Sequence, residues 1–196
     1  MFNNISKPIS DRMQWLMKKN STDRLDGSTK VQRLRQIPPE TGKFLAIMAA
    51  SAPDGIFLEV GTSGGYSTLW LSLACREIGT KLHTFEIDDD KFSFAAETFD
   101  SAGVADLIVQ VQGDAIENLS EYKEIAFCFL DTDKEFYQGC YDLVIPRMLS
   151  GSILIADNAI SHQEELQTFI DQAYLDDRVD ALIIPIGKGV LVCRKI

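Results

Sequence analysis

The sequence predicts an α/β protein built on a mostly parallel sheet, with helices on both faces and one antiparallel strand added at its end. Three observations carry this. Short apolar runs alternate with helix-periodic segments from about residue 56 onward, and that alternation implies parallel strands joined by crossover helices. "FLEVGTSGGYSTLWLSLA" (57–74) reads as a strand, a tight glycine loop and a helix. "VDALIIPIGKGVLVCRKI" (179–196) holds two apolar runs about Gly187-Lys188-Gly189, the pattern of a β-hairpin.

The elements follow in order. Ser10 is placed to cap a helix reaching about Lys19, with Met13, Leu16 and Met17 as its apolar face. "NSTDRLDGSTK" (20–30) is a polar loop, and "IPPETGKFLAIMAAS" (37–51) a turn followed by a helix from about Pro39 to Ser51. Strands are expected over Ile56–Val60, Lys81–Glu86, Asp106–Gln112, Ile125–Asp131 and Gly151–Asp157. Helices are expected to begin near Ser67, Asp89, Ile116, Lys134 and Gln163. Residues 1–36 read as a helical extension, a cap over the site or a dimer contact through Trp15, and 37–196 as the main domain.

Bulk properties narrow the class. A chain of 196 residues with 45% apolar and 24% charged residues makes one soluble domain with a sizeable core. No apolar run approaches the roughly 18 residues of a membrane span, and the N-terminus lacks a signal-peptide core. Cys75, Cys128, Cys140 and Cys193 are scattered without a CxxC, three of them in apolar contexts. They are expected to be reduced, in a cytoplasmic protein. The net charge of −10 argues against a broad nucleic-acid surface, although "MKKNSTDRLDGSTKVQRLR" (17–35) gathers most of the N-terminal positive charge.

The glycine loop presents backbone N–H groups at a helix N-terminus, which suits an anionic part of a ligand. Its spelling, Gly61-Thr62-Ser63-Gly64-Gly65, is neither the G-x-G-x-x-G of dinucleotide sites nor a P-loop, which needs a lysine. Glu59 is awkward beside a pyrophosphate and suits a ligand with positive charge. Glu86, ending the second strand, can accept both hydrogen bonds of a ribose diol or be a solvated acid. Asp114, after the third, can accept from an adenine amino group or cap the next helix. Glu59, Glu86, Asp114, Asp131 and Asp157 thus fall at the C-terminal ends of five strands, which share one edge where ligands bind. Five carboxylates together call for cations: a ligand with an amine and a sulfonium, or a divalent metal.

"LEVGTSGGYSTLWLS", "TFEID", "GDA", "FLDTDK" and "IADN" resemble, in order and spacing, the S-adenosylmethionine-dependent, metal-dependent O-methyltransferases of the catechol and caffeoyl-CoA type, over about residues 37–196. The resemblance implies the Rossmann-like class I methyltransferase fold, seven strands with the last antiparallel. It implies that Glu59, Gly61, Thr62, Ser63, Gly65, Tyr66 and Ser67 hold the methionine part of S-adenosylmethionine. Glu86, with Ile87 beside it, would bind the ribose, and Asp114 and Ala115 would bracket the adenine. Asp131 would border the cofactor and, with Asp157 and Asn158, bind a divalent metal; Lys134 would stand where the family's general base stands.

These residue types suit the chemistry. Methyl transfer from a sulfonium is an in-line displacement that needs an acceptor oxygen close to its anion. A phenolic hydroxyl ionises near pH ~10, and a divalent ion lowers that value and orients the oxygen. Two Asp and one Asn offer hard oxygen ligands, which favour Mg²⁺, with Ca²⁺ or Mn²⁺ as alternatives, over zinc. Lys134, three residues after Asp131, would have its pKa lowered by the metal and accept the hydroxyl proton. An ordinary surface role for Lys134, and a turn-and-cap role for Asp157-Asn158, are the structural alternatives. Asp133 is a helix-start acid. After "ADN" the chain passes almost directly into a helix, so the acceptor side is expected to be open, with His162 either at a helix start or touching the acceptor. The expected function is O-methylation of a small aromatic diol by a cytoplasmic enzyme, a homodimer, without a membrane partner. The alternatives are methylation of a hydroxylated tRNA base and a non-catalytic cofactor-binding protein.

Overall fold

The computed structural model describes residues 1–23, 25–27, 29 and 32–196. Of the polar loop expected over 20–30, Arg24, Ser28 and Lys30 lie outside the described residues. The strands are β1 (Ile56–Val60), β2 (Leu82–Glu86), β3 (Ile108–Gln112), β4 (Ile125–Leu130), β5 (Met148–Ala156), β6 (Val179–Ile184) and β7 (Val190–Lys195). They form one sheet in the order β3-β2-β1-β4-β5-β7-β6. Strands β1 to β5 pair in parallel, and β7 runs antiparallel to both β5 and β6. The expected fold class is therefore observed, hairpin included. The strand order reverses at β1 and β4, and the crevice outside their carboxyl ends is where such sheets bind ligands.

The helices are α1 (Lys7–Thr22), α2 (Pro39–Ala50), α3 (Tyr66–Ile78), α4 (Asp89–Ala102), α5 (Ala115–Asn118), α6 (Tyr137–Val144) and α7 (Gln163–Leu175). Two apolar clusters cover the faces of the sheet. One joins α1 to α4 with Phe57, Phe127 and Ile155; the other joins α5, α6 and α7 with Leu58, Leu130 and Leu154. All six residues of β4 are buried, as a central strand covered on both faces requires.

Several boundaries differ from expectation. The first helix starts at Lys7, because Pro8 suits a first turn. Ser10 lies inside it, and its hydroxyl donates to the Lys7 carbonyl rather than capping. Its buried face is Ile9, Met13 and Leu16, while Met17 is exposed. A 3₁₀ turn over Ala105–Leu107 delays β3 to Ile108. The helix after β3 has only four residues and ends in a second 3₁₀ turn, since the chain must return to β4 at Ile125. Lys134–Phe136 is likewise a 3₁₀ turn leading into α6, and β5 extends back to Met148. Among the described residues no helix is long and apolar enough to cross a membrane. All four cysteines are buried and unpaired.

Candidate active site

The glycine loop is shaped by its own neighbours as well as by what it offers a ligand. Gly61 has φ +101°, and a Cβ there would run into the backbone carbonyl of Asp131. The Asp131 N–H in turn donates to the Val60 carbonyl at 2.9 Å, so the ends of β1 and β4 are tied at this point. Gly65 has φ +82°, and its Cβ would meet the Phe99 ring at 2.7 Å. The N–H groups of Gly61 and Thr62 both donate to the Phe85 carbonyl at 3.1 Å, and the hydroxyls of Thr62 and Thr84 lie 2.5 Å apart. The Ser63 hydroxyl donates to the Leu34 carbonyl at 2.9 Å, while the Leu34 N–H donates to buried Asp23 at 2.8 Å. The segment after α1 is thereby strapped across the loop.

The strand-tip acids occupy different environments. Glu59 is wholly buried beneath the loop; Oε2 accepts from the Thr68 and Thr84 hydroxyls at 2.5 and 2.7 Å, and Oε1 has no partner. Burial raises its pKa from 4.5 to about 7 against the opposing pull of the Ser67, Thr68 and Thr84 hydroxyls. Because the folded value exceeds the unfolded one, its contribution to stability is fullest below about pH 4.5 and is lost as pH rises to about 7. Glu59→Gln is expected to remove that dependence. The variant's thermal midpoint should gain on wild type between about pH 5 and about pH 7.5, by the equivalent of roughly 3 kcal/mol at most. A pH-independent difference would show that Glu59 is ionised throughout.

Glu86 ends β2 at the rim of a cleft. Its two oxygens accept from the Ser63 N–H at 2.7 Å and the Asp88 N–H at 3.0 Å, which leaves further lone pairs facing the cleft. Asp114 caps α5, its Oδ1 accepting from the Ile116 N–H at 2.8 Å. Glu86, Ile87, Asp114 and Ala115 line one cleft together with Gly61, Ile116, Thr132 and Phe136. Ile87 is 69% and Phe136 39% exposed, so two exposed apolar side chains line the cleft beside its polar groups. Ser67 is nearly buried at the start of α3, and Tyr66 turns into the core against Trp70.

Beside this cleft the structure brings Asp131, Asp157, Asn158 and Lys134 together. The Asn158 amide nitrogen donates to Asp131 Oδ1 at 2.9 Å and to Asp157 Oδ2 at 3.1 Å. Asp157 is fully buried and its Oδ1 has no partner. Burial and the charge of Asp131 push its pKa up to about 7. Among the described residues no three His, Cys, Asp or Glu side chains converge, so a cation here would draw on the carboxylate pair and the amide. That set fits a hard divalent ion: an orphaned carboxylate oxygen, a second carboxylate, and an amide whose oxygen joins them once its two ends are exchanged. Lys134 Nζ lies 3.7 Å from Asp131 Oδ1 and donates to the Thr132 carbonyl at 3.0 Å and the Tyr137 hydroxyl at 2.9 Å. Its pKa is lowered, chiefly by burial, while Asp131 and Asp157 oppose the change. The expected direction is thus present before any metal, from another cause.

Three residues near the site were not singled out in the sequence. Tyr137 is buried and links Lys134 to the Asp157 carbonyl, to which its hydroxyl donates at 3.2 Å. Phe136 walls the cleft. They stand two and three residues after Lys134 in "DKEFY", so proximity in sequence was the available signal. Arg35 reaches from the strap to Asp133 at 3.6 Å, a contact that sequence spacing does not reveal. His162 precedes α7, half-buried, with Nδ1 2.9 Å from the Ser161 hydroxyl.

A family model described as O-methyltransferase matches residues 17–196. The catechol O-methyltransferase of Niastella koreensis is 31% identical over 129 residues, 63% of this chain and 58% of that protein. The caffeoyl-CoA O-methyltransferase 1 of Zea mays is 26% identical over 182 residues, 80% of this chain and 70% of that protein. The solved O-methyltransferase from Bacillus cereus, in complex with SAH, superposes with a TM-score of 0.77 at 21% identity, over 94% of this chain and 91% of that one. With the match covering nearly its whole length, the chain belongs to the O-methyltransferase family.

Proposed function

We propose that this enzyme methylates a hydroxyl of a small aromatic diol, with a divalent ion held by Asp131, Asp157 and Asn158. The observation that carries the reading is the buried, partnerless Asp157 Oδ1 beside a second carboxylate and an amide at the sheet's ligand-binding edge. The names of the catechol and caffeoyl-CoA relatives support the acceptor class, and the SAH-bound neighbour supports the cofactor.

Glu86 binds the ribose hydroxyls, Asp114 and Ala115 border the adenine, and Ile87 and Phe136 cover its faces. The loop from Gly61 to Gly65 and Ser67 hold the methionine part, with Glu59 acting from beneath. When bound, the cofactor supplies a sulfonium methyl; a divalent ion supplies charge that favours the ionised acceptor. Lys134 takes the hydroxyl proton at Nζ, and Tyr137 holds that nitrogen in place. With the acceptor oxygen so deprotonated, the bound cofactor would supply the methyl group and keep the electron pair of the sulfur–carbon bond on its sulfur. Four buried, unpaired thiols suit the reducing cytoplasm.

Calorimetry with the demethylated cofactor tests the cleft. Binding is expected, with NAD and ATP much weaker, and Glu86→Ala should weaken it by roughly 1–3 kcal/mol through two lost charge-assisted hydrogen bonds. Turnover of catechol with and without EDTA tests the acceptor and the metal; unchanged turnover after chelation removes the metal from the reading. A tRNA-base acceptor is favoured by one feature: α1 carries Arg12, Lys18 and Lys19 around a half-exposed Trp15. Salt-dependent retardation of tRNA in a gel would support that acceptor instead.

A further inference from the structure

Beside Asp157 the fold holds a cation, Lys188, that the reaction scheme does not use. Lys188 lies at the tip of the β6–β7 hairpin, and that tip is clamped onto the turn following Asp157. The Ala159 N–H donates to the Gly189 carbonyl at 2.9 Å, and the Ile160 and Ser161 N–H groups donate to the Lys188 carbonyl at 3.2 and 2.9 Å. A Cβ on Gly189 would collide with Ile160, so hairpin and turn meet without a gap. Lys188 is half-buried, and its ammonium makes no hydrogen bond or ion pair among the described residues. The hairpin tip that carries it thus abuts the turn leading on from Asp157 and Asn158, and its charge acts on both Asp157 and Lys134. Ile160, 47% exposed, stands on the same turn and offers an apolar wall. An ammonium with no hydrogen-bond partner is free to receive an anionic group of a ligand.

We infer that Lys188 is the anion-binding element of the acceptor pocket, and that the preferred acceptor is an aromatic diol carrying a carboxylate. The ring lies against Ile160, the two hydroxyls face Asp131, Asp157 and Lys134, and the carboxylate meets Lys188. The inference rests on the diol reading above. The competing role for Lys188 is to relieve the Asp131–Asp157 pair, which acts alike on every acceptor. A ratio of rates between charged and neutral acceptors therefore separates the two.

The test compares kcat/KM for 3,4-dihydroxybenzoate and catechol in wild type, Lys188→Gln and Lys188→Arg. Wild type is expected to favour the acid by about tenfold or more, the scale of one charge-assisted hydrogen bond. Lys188→Gln should bring the ratio close to one, and Lys188→Arg should keep most of it. Equal use of both diols by wild type, or an unchanged ratio in Lys188→Gln, overturns the inference. If neither diol is methylated, the diol reading itself fails, and the subsite is decided by ligand-observed NMR with benzoate and benzyl alcohol. Selective benzoate binding that disappears in Lys188→Gln upholds the anion site; equal binding by wild type and variant overturns it.

Discussion

Asp157→Ala is expected to abolish methyl transfer while the demethylated cofactor still binds. The two outcomes separate because the residues involved separate. The cleft assigned to the cofactor is lined from the ends of β1, β2 and β3, the start of α5, and Thr132, Asp133 and Phe136 after β4, but not by Asp157, which follows β5 on the far side of Asp131. The variant is also expected to fold well. Asp157 is buried beside another carboxylate with one oxygen unpaired, an arrangement that costs stability unless a cation fills it. Alanine removes that cost, so the metal-free thermal midpoint should hold or rise at neutral pH even as turnover disappears. Asp157→Asn should behave the same way, since neutralising the acid weakens a hard cation site without changing its volume. Saturating Mg²⁺ should raise the wild-type midpoint and leave both variants unmoved. Retained turnover in Asp157→Ala would remove this residue from the reaction, and a collapsed midpoint would show that it holds the fold.

Lys134→Ala should lower kcat by about 10²–10⁴-fold, the usual worth of a positioned acid–base group, with cofactor affinity nearly unchanged. Lys134→Arg should not rescue, because a guanidinium stays protonated at any working pH. The lowered pKa of Lys134 sets the sign of the pH dependence: the neutral amine is the active form, so the rate rises with pH through the depressed value. The rival view is that Lys134 only balances the charge of Asp131 and Asp157. Arginine would then restore much of the rate, with an unshifted profile. Acceptor acidity gives an independent reading. If Lys134 removes the proton, the alanine variant should recover progressively as the hydroxyl becomes more acidic; a constant defect across acceptors would point to charge balance. Tyr137→Phe supplies a milder control, since it removes one acceptor from Nζ and leaves the amine present.

Much of this arrangement could be read from the chain because the fold repeats a simple unit. β1 was legible to the residue, and the β6–β7 hairpin was announced by its two glycines around Lys188. Where the reading slipped, local chemistry had more than one solution. Ser10 has the chemistry of a cap, yet Pro8 starts the helix earlier and turns Ser10 inward to the Lys7 carbonyl. Asp114 served as a cap, one of the two roles its sequence allowed. Meeting Asp131 with Asp157-Asn158 was legible because β4 and β5 are neighbours and both end there. The positions of Arg35 and Lys188 were not legible, because each reaches the site from an element far away in sequence. Nor does a strand-tip acid reveal its depth: Glu59 is sealed beneath the loop while Glu86 lines the cleft.

The close approach of Gly61 to the Asp131 carbonyl, with the Asp131 N–H bonded to Val60, makes the first strand's loop and the fourth strand's end a single joint. One side of that joint faces the pocket assigned to the methyl donor, and the other carries the acid beside Lys134. If the two sites are as proposed, the separation between donor and recipient would be set by the chain's own skeleton rather than by the molecule docked. The turn at 159–162 and the hairpin tip at 187–189 lie outside the joint. On the proposed reading, changes there would alter the surroundings of the acceptor while the spacing set by the joint stays the same.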